Sequence, residues 1–177
     1  MAFLIKSNSQ ANAGPSNPGA AVLNQWIHVA RAAQALPQTT NEVVFQVYAG
    51  RVLVHLLIAE VTTVIEGTDP VSTVVAARQD AAGALVGTVY VVASSLDMSS
   101  DEVGTIYTVE GDGSAIISPQ LAGSGYGQPQ PWVMPRGQIY HRTTASKTGA
   151  LKWDIWYQPL DEGAYVRTIQ TATAAVS

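Results

Sequence analysis

Residues 43–65 read VVFQVYAGRVLVHLLIAEVTTVI and form the longest apolar stretch of the chain. Within it, residues 43–48 and residues 51–58 each alternate between two sets of side chains with a period of two, which is typical of β-strands. Most of these residues are β-branched or aromatic, as strands prefer. Ala49-Gly50 separates the two segments, so we predict a hairpin in which Gly50 supplies the positive φ of a tight turn. The second strand would carry on one face Val52, Val54, Leu56 and Ile58.

The same stretch is long enough to cross a membrane as a helix. However, Arg51, His55 and Glu60 interrupt it, and a charged group at the centre of a bilayer costs about 3 kcal/mol. We therefore interpret the stretch as a β core without membrane contact, and we expect a third strand over residues 61–65.

The composition favours a chain that covers much of its surface by assembly. Charged residues make up 12% of the 177 residues, compared with ~25% in typical soluble domains. A small soluble β domain with a Thr, Ser and Gln surface is the alternative. The net charge of −4 argues against a nucleic-acid partner, and the absence of cysteine excludes disulfides and thiolate metal sites.

The first 24 residues form a separate region by composition. Asn, Ser, Gln, Ala, Gly and Pro dominate residues 7–21, so no regular element is expected there. We predict an extended N-terminal arm over residues 1–24 and a single β-rich domain over residues 25–177. The apolar tip Phe3-Leu4-Ile5 would dock on a neighbour, or the arm is a plain disordered terminus. The run MAFLI is too short for a secretory signal, so secretion by that route is not expected.

Short strands separated by Gly, Pro and Asp turns continue through the rest of the chain. Residues 22–35 fit a helix or a strand, and we favour a strand because everything downstream is β. Further strands are predicted at residues 72–78, 87–93, 104–110, 115–118, 137–144, 150–158 and 164–173. Residues 94–102 and 119–136 are expected to be loops. The fold class is therefore all-β, an antiparallel sandwich or barrel that is jelly-roll-like.

One predicted strand carries large aromatic residues on both faces. In residues 150–158, alternation places Trp153 on one face and Trp156 on the other. We expect the core to cover one of them, and a loop or a neighbouring subunit to cover the other.

No pattern in the sequence supports catalysis. His28, His55 and His141 lie far apart in sequence, without a nearby carboxylate at metal-ligand spacing, so structural roles are favoured. A Ser-His-Asp set has no G-x-S-x-G motif to support it. Residues 110–114 lack the rest of a calcium loop, and the glycines of residues 123–127 lack the helix of a phosphate loop. We predict no catalytic residue, no cofactor and no metal.

Two other groups of residues have simpler explanations. Asp97, Asp101 and Glu102 are interpreted as a solvated loop. Several aromatic residues could line a carbohydrate groove, although core and interface packing is more common: Tyr126, Trp132, Tyr140, Trp153, Trp156 and Tyr157.

The order of several segments resembles a family of tailed-bacteriophage head decoration proteins, also known as capsid cement or head fibre proteins. The segments that carry the resemblance are residues 43–47 (VVFQV), 50–54 (GRVLV), 60–63 (EVTT), 87–90 (GTVY), 137–140 (GQIY), 148–149 (TG), 152–153 (KW) and 157–164 (YQPLDEGA). The resemblance covers about residues 25–170. Where such proteins often place two glycines before the second strand, this chain has Ala49-Gly50.

The resemblance implies a β-rich structural virion protein, made in the host cytoplasm and commonly trimeric. Its partner would be the major capsid protein on the outer surface of the head, and its role would be to strengthen the shell against the pressure of packaged DNA. The candidate assembly contacts are Phe3, Leu4, Ile5, Trp26, Tyr126, Trp132 and Trp156. A head-surface receptor that binds glycans through Tyr126, Trp132 or Trp156 is a second hypothesis, and a small β-barrel enzyme or ligand carrier is a third.

Overall fold

The computed structural model describes residues 26–66, 71–109, 130–145 and 147–169 of the chain. These residues form strands, turns and loops, and no helix occurs among them. Two five-stranded antiparallel sheets pack face to face, so the predicted all-β class is confirmed and the architecture is a sandwich. The predicted arm of residues 1–24 lies outside the described residues, as does the predicted strand at residues 115–118.

The strands found in the described part of the chain are numbered in chain order. They are β1 (Ile27–Ala35), β2 (Asn41–Tyr48), β3 (Val52–Thr63), β4 (Val71–Gln79), β5 (Leu85–Asp97), β6 (Ile106–Thr108), β7 (Trp132–Met134), β8 (Gly137–Thr143), β9 (Ala150–Pro159) and β10 (Tyr165–Thr168).

The strands divide between two sheets that we call sheet A and sheet B. Sheet A has the order β1-β9-β3-β6, and β7 also pairs with β3. Sheet B has the order β10-β2-β8-β4-β5. Because β1 contacts β10, these two edge strands lie on the same side of the sandwich. The core between the sheets is apolar, with Phe45 and Ile139 from sheet B and Leu57 and Ile155 from sheet A fully buried.

The apolar stretch of residues 43–65 contributes one strand to each sheet, which differs from the predicted hairpin. β2 pairs with β8 and β10 in sheet B, whereas β3 pairs with β9, β6 and β7 in sheet A. The turn at residues 49–50 therefore carries the chain from one sheet to the other, and the hairpin prediction is wrong. β3 also continues without interruption to Thr63, so residues 61–63 belong to β3 and form no third strand.

A bulge in β3 explains which of its side chains face the core. The pairing of β3 with β9 shifts register between Val54 and Leu56. As a result, Val52 and Val54 are buried, but the alternation then moves by one residue and buries Leu57 and Ala59. The prediction that residues 52, 54, 56 and 58 share one face is therefore correct for residues 52 and 54 and wrong for residues 56 and 58.

The turn between β2 and β3 places its two residues in unexpected roles. Ala49 has the positive φ of 59°, whereas Gly50 does not have a positive φ. Gly50 is required for space, because a Cβ there would lie 2.6 Å from the Cβ of Asp161. Asp161 in turn accepts hydrogen bonds from Arg51, including one of 2.7 Å from its backbone N–H. Close approach of two loops therefore fixes this glycine.

We predict opposite effects for substitutions at these neighbouring positions. Gly50→Ala should lower the free energy of unfolding by about 1–3 kcal/mol, because the added methyl group overlaps Asp161. Ala49→Gly should stabilise the protein by up to about 1 kcal/mol, because it relieves the ~1–2 kcal/mol strain of a left-handed alanine but adds backbone entropy. Urea unfolding of both variants measures this. A stable Gly50→Ala protein beside a destabilised Ala49→Gly protein would contradict the assignment.

Most of the other predicted strands are confirmed, with two corrections. β1 resolves the helix-or-strand ambiguity of residues 22–35 in favour of a strand. β5 extends to Asp97, so the predicted loop at residues 94–102 begins too early. Residues 132–134, predicted within a loop, form β7 because their backbone pairs with β3.

Candidate functional site

The outer face of sheet A is a candidate contact surface. In β9, Trp153 is buried in the core while Trp156, on the opposite face, is half-buried. The prediction of one tryptophan on each face is therefore confirmed. Strand pairing places Trp156 opposite His28 of β1 and opposite Leu56 of β3. The outward positions of three adjacent strands thus meet at this tryptophan.

Two tryptophan–histidine stacks occupy this face. The rings of Trp26 and His55 lie 4.4 Å apart between centroids at an interplanar angle of 18°. The rings of His28 and Trp156 lie 4.4 Å apart at 16°. Trp26 is 62% exposed although its ring is stacked. We call these four residues the Trp–His face.

The polar side chains beside the Trp–His face have partners on neighbouring strands. His28 Nε2 lies 2.6 Å from Asp154 Oδ1, and Lys152 Nζ lies 2.6 Å from Glu60 Oε2. The hydrogen bond to Glu60 raises the pKa of Lys152 above its ordinary value. The face therefore combines aromatic rings with polar side chains that already have partners.

The seven candidate assembly contacts separate into three groups. Trp26 and Trp156 share the Trp–His face. Trp132 lies elsewhere, in β7, where it pairs with Val54 of β3. Its side chain is half-buried and packs against the core. The other four lie outside the described residues: Phe3, Leu4, Ile5 and Tyr126.

The partners of the histidines could not be found from sequence spacing, because these partners are distant in sequence. Asp154 follows His28 by 126 positions, and strand pairing alone brings them together. Ser72 Oγ lies 2.8 Å from His141 Nε2, across 69 positions. Ser72 and His141 are each 1% exposed, so a substrate cannot reach this serine–histidine pair. The geometry supports the structural role that was predicted for His141.

A second buried polar group lies next to His141. Arg31 is 2% exposed, forms an ion pair with Glu42 and donates a 3.3 Å hydrogen bond from Nε to the carbonyl of Ile169. Glu42 lies opposite His141 in sheet B, whereas Arg31 belongs to sheet A. The ion pair therefore links the two sheets. Removing one partner of such a buried pair typically costs about 3–5 kcal/mol.

The acidic residues at the end of β5 and in the loop that follows it have specific hydrogen-bond partners, which the prediction of a solvated loop did not include. The backbone N–H of Ser99 donates a 2.8 Å hydrogen bond to Asp97, and hydrogen bonds from Ser99 lower the pKa of Asp97. The hydroxyl of Tyr107 donates to Asp101, and burial raises the pKa of Tyr107. Two of the three acidic residues therefore have structural partners.

Among the residues that the structure describes, no three His, Asp or Glu side chains are grouped so that they could hold a metal ion. No helix in that part of the chain is long and apolar enough to span a membrane.

The described residues form an antiparallel β-sandwich with stacked aromatic rings on one outer face. Comparison of the chain with protein-family models, with curated proteins and with solved structures gives no match.

We predict that His141 makes stability depend on pH. Burial, and secondly the charge of Arg31, lower its pKa from 6.5 to about 3. Between these values the unfolded chain binds a proton that the folded chain does not, so the free energy of unfolding falls as the pH falls. The slope from this group is at most about 1.4 kcal/mol per pH unit.

Urea unfolding between about pH 6.5 and about pH 4.5 measures this slope. His141→Gln should remove most of it whatever the stability of the variant. His55→Gln changes a half-buried histidine in the same way and should retain it. An unchanged slope in His141→Gln would show that other groups cause the pH dependence.

Proposed function

We propose that this chain is a structural subunit of a tailed-phage head, a decoration protein that binds the outer surface of the capsid and strengthens the shell. The observation that carries this proposal is the Trp–His face, since aromatic side chains that are accessible at the surface are enriched in protein contact surfaces. The order of segments that resembles head decoration proteins supports it, as does the charged fraction of 12%.

The proposed role is mechanical and requires contacts rather than a reaction. A sandwich with a buried apolar core resists deformation, because dense cores are only slightly compressible. Such a body can bridge neighbouring shell subunits and share load between them. The sealed Ser72–His141 pair is consistent with a role that needs no nucleophile.

We assign the Trp–His face to contact with a second copy of the chain in a homotrimer. The charges of Lys152 and Glu60 neutralise each other beside this face, which limits repulsion when another protein surface approaches. Stacking on histidine already fixes the rings of Trp26 and Trp156, so little side-chain entropy is lost when they become covered. The major capsid protein would then contact other surfaces of the trimer.

Substitutions on this face should weaken trimer formation. Trp26→Ala and Trp156→Ala should each reduce the free energy of association by about 2 kcal/mol, a factor of roughly 30, because central aromatic residues dominate contact energies. Light scattering over a concentration series measures the mass. Tyr165→Ala is the matched control, because Tyr165 is a half-buried aromatic residue that stacks on Tyr48 in sheet B. Trimers of equal strength in all variants would exclude this face as the contact.

The capsid role itself is tested on virions from the genome that encodes the chain. We expect the protein in purified heads in many copies. Heads made without the gene should lose their DNA at a lower temperature, because the bridging contacts are missing. Complementation with the wild-type gene is the control. Virions that lack the protein, or heads of unchanged thermal stability, would contradict the proposal.

A further inference from the structure

A cleft of about 820 Å³ lies between the sheets, away from the Trp–His face. Sheet B contributes Arg78 of β4 and Tyr90 of β5, while sheet A contributes Trp132 and Val133 of β7. Tyr90 is 63% exposed and stands at the rim. Both the size and the mixture of aromatic and polar walls are typical of small-ligand sites.

The cleft concentrates positive charge in a chain whose net charge is −4. Three arginines line it: Arg51, Arg78 and Arg136. Arg51 is neutralised by Asp161, to which it donates side-chain hydrogen bonds of 2.7 and 3.0 Å. These hydrogen bonds hold the pKa of Asp161 at about 2, so this pair remains charged and closed at neutral pH. Within the described part of the chain, Arg78 and Arg136 have no ion-pair partner, so both can bind an anion.

The structure holds Arg136 in place before any ligand binds. Its Nη1 donates a 3.0 Å hydrogen bond to the carbonyl of Ala81, and its own carbonyl accepts one of 2.9 Å from the backbone N–H of Gln79. Gly137 brings β8 into direct contact with β4, because a Cβ at Gly137 would lie 2.1 Å from the carbonyl oxygen of Ala77. A fixed guanidinium loses little entropy when it binds, which favours affinity.

Two buried donors in the cleft walls also need acceptors. Trp132 Nε1 and Arg136 Nε are buried and have no hydrogen-bond partner among the described residues. An unpaired buried donor costs about 1–3 kcal/mol, so such groups are rare in folded proteins unless something else satisfies them.

We propose that this cleft binds a saccharide that carries a carboxylate. The carboxylate would accept charge-assisted hydrogen bonds from Arg78 and Arg136, whose planar guanidinium groups match carboxylate geometry. The apolar face of the sugar ring would pack on Tyr90 or Trp132, and its hydroxyl groups would supply further acceptors. Nucleic acid is disfavoured because two free arginines cannot offset repulsion from an acidic chain. The proposal does not depend on the capsid role, because all of these residues belong to one chain.

Calorimetry with the full chain tests the proposal with two pairs of probes. Trigalacturonate is compared with its methyl ester, and sialyllactose with lactose. We expect at least one acidic saccharide to bind, and its neutral counterpart to bind at least about tenfold more weakly. Arg78→Gln should weaken binding of the acidic form about tenfold as well. Arg142→Gln removes an exposed arginine at the other end of β8 and should leave affinity unchanged.

Three results would overturn the assignment. One is that neither acidic saccharide binds, and another is that acidic and neutral forms bind equally. The third is that a glutamate hexapeptide binds while the saccharides do not, which would make the cleft a contact for acidic protein segments. The mass of each variant is measured in parallel, so loss of the trimer and loss of saccharide binding are separate readouts.

Discussion

The structure depends on β3, whose side chains alternate between the core and the outer face of sheet A and whose backbone pairs with three other strands of that sheet. β3 pairs with β9 along almost its whole length and also carries β6 and β7 on its other edge. Its buried side chains pack against residues of sheet B, so the same strand fixes both the hydrogen bonding of one sheet and the contact between the two. A polar residue at an inward position of β3 would destabilise the fold, because burial of an unpaired polar group costs about 1–3 kcal/mol or more. The bulge at residues 54–56 has to be present for this arrangement, since without it Leu57 would face outward.

The few charges of the chain are distributed with distinct roles. Arg31 and Glu42 link the sheets from inside, and Arg51 and Asp161 hold the turn between β2 and β3 against the loop that follows β9. On the outer face of sheet A, Lys152 and Glu60 form an ion pair, and Asp154 lies within hydrogen-bond distance of His28. Arg78 and Arg136 are the cations that line the cleft without an ion-pair partner in the described residues. An aromatic face suits a protein partner, whereas a cationic cleft suits an anion.

The sequence was informative about elements and much less informative about their partners. Periodicity and turn residues predicted the strands correctly at residues 137–144 and 150–158, and they placed Trp153 and Trp156 on opposite faces. The hairpin prediction was wrong because the sequence pattern does not distinguish two cases. Two strands with a period of two and a turn residue between them look alike whether the second strand pairs with the first or crosses to the other sheet. Gly50 was assigned to a positive φ, but its reason is Asp161, more than 100 residues later. The sequence also could not predict which residues contact His28 and His141, or that Arg78 and Arg136 line one cleft. Only the strand order brings these residues together.

We propose that the molecule is a rigid body that works through its surfaces, and that another copy of the chain covers the Trp–His face on a phage head. The proposal predicts that the chain is encoded by a phage, and its most direct test is electron cryo-microscopy of the mature head of that phage. We expect density for three sandwiches around a threefold position on the outer surface, with Trp26 and Trp156 buried between neighbouring copies. A head surface without such density, or sandwiches whose Trp–His faces point into solvent, would contradict the account.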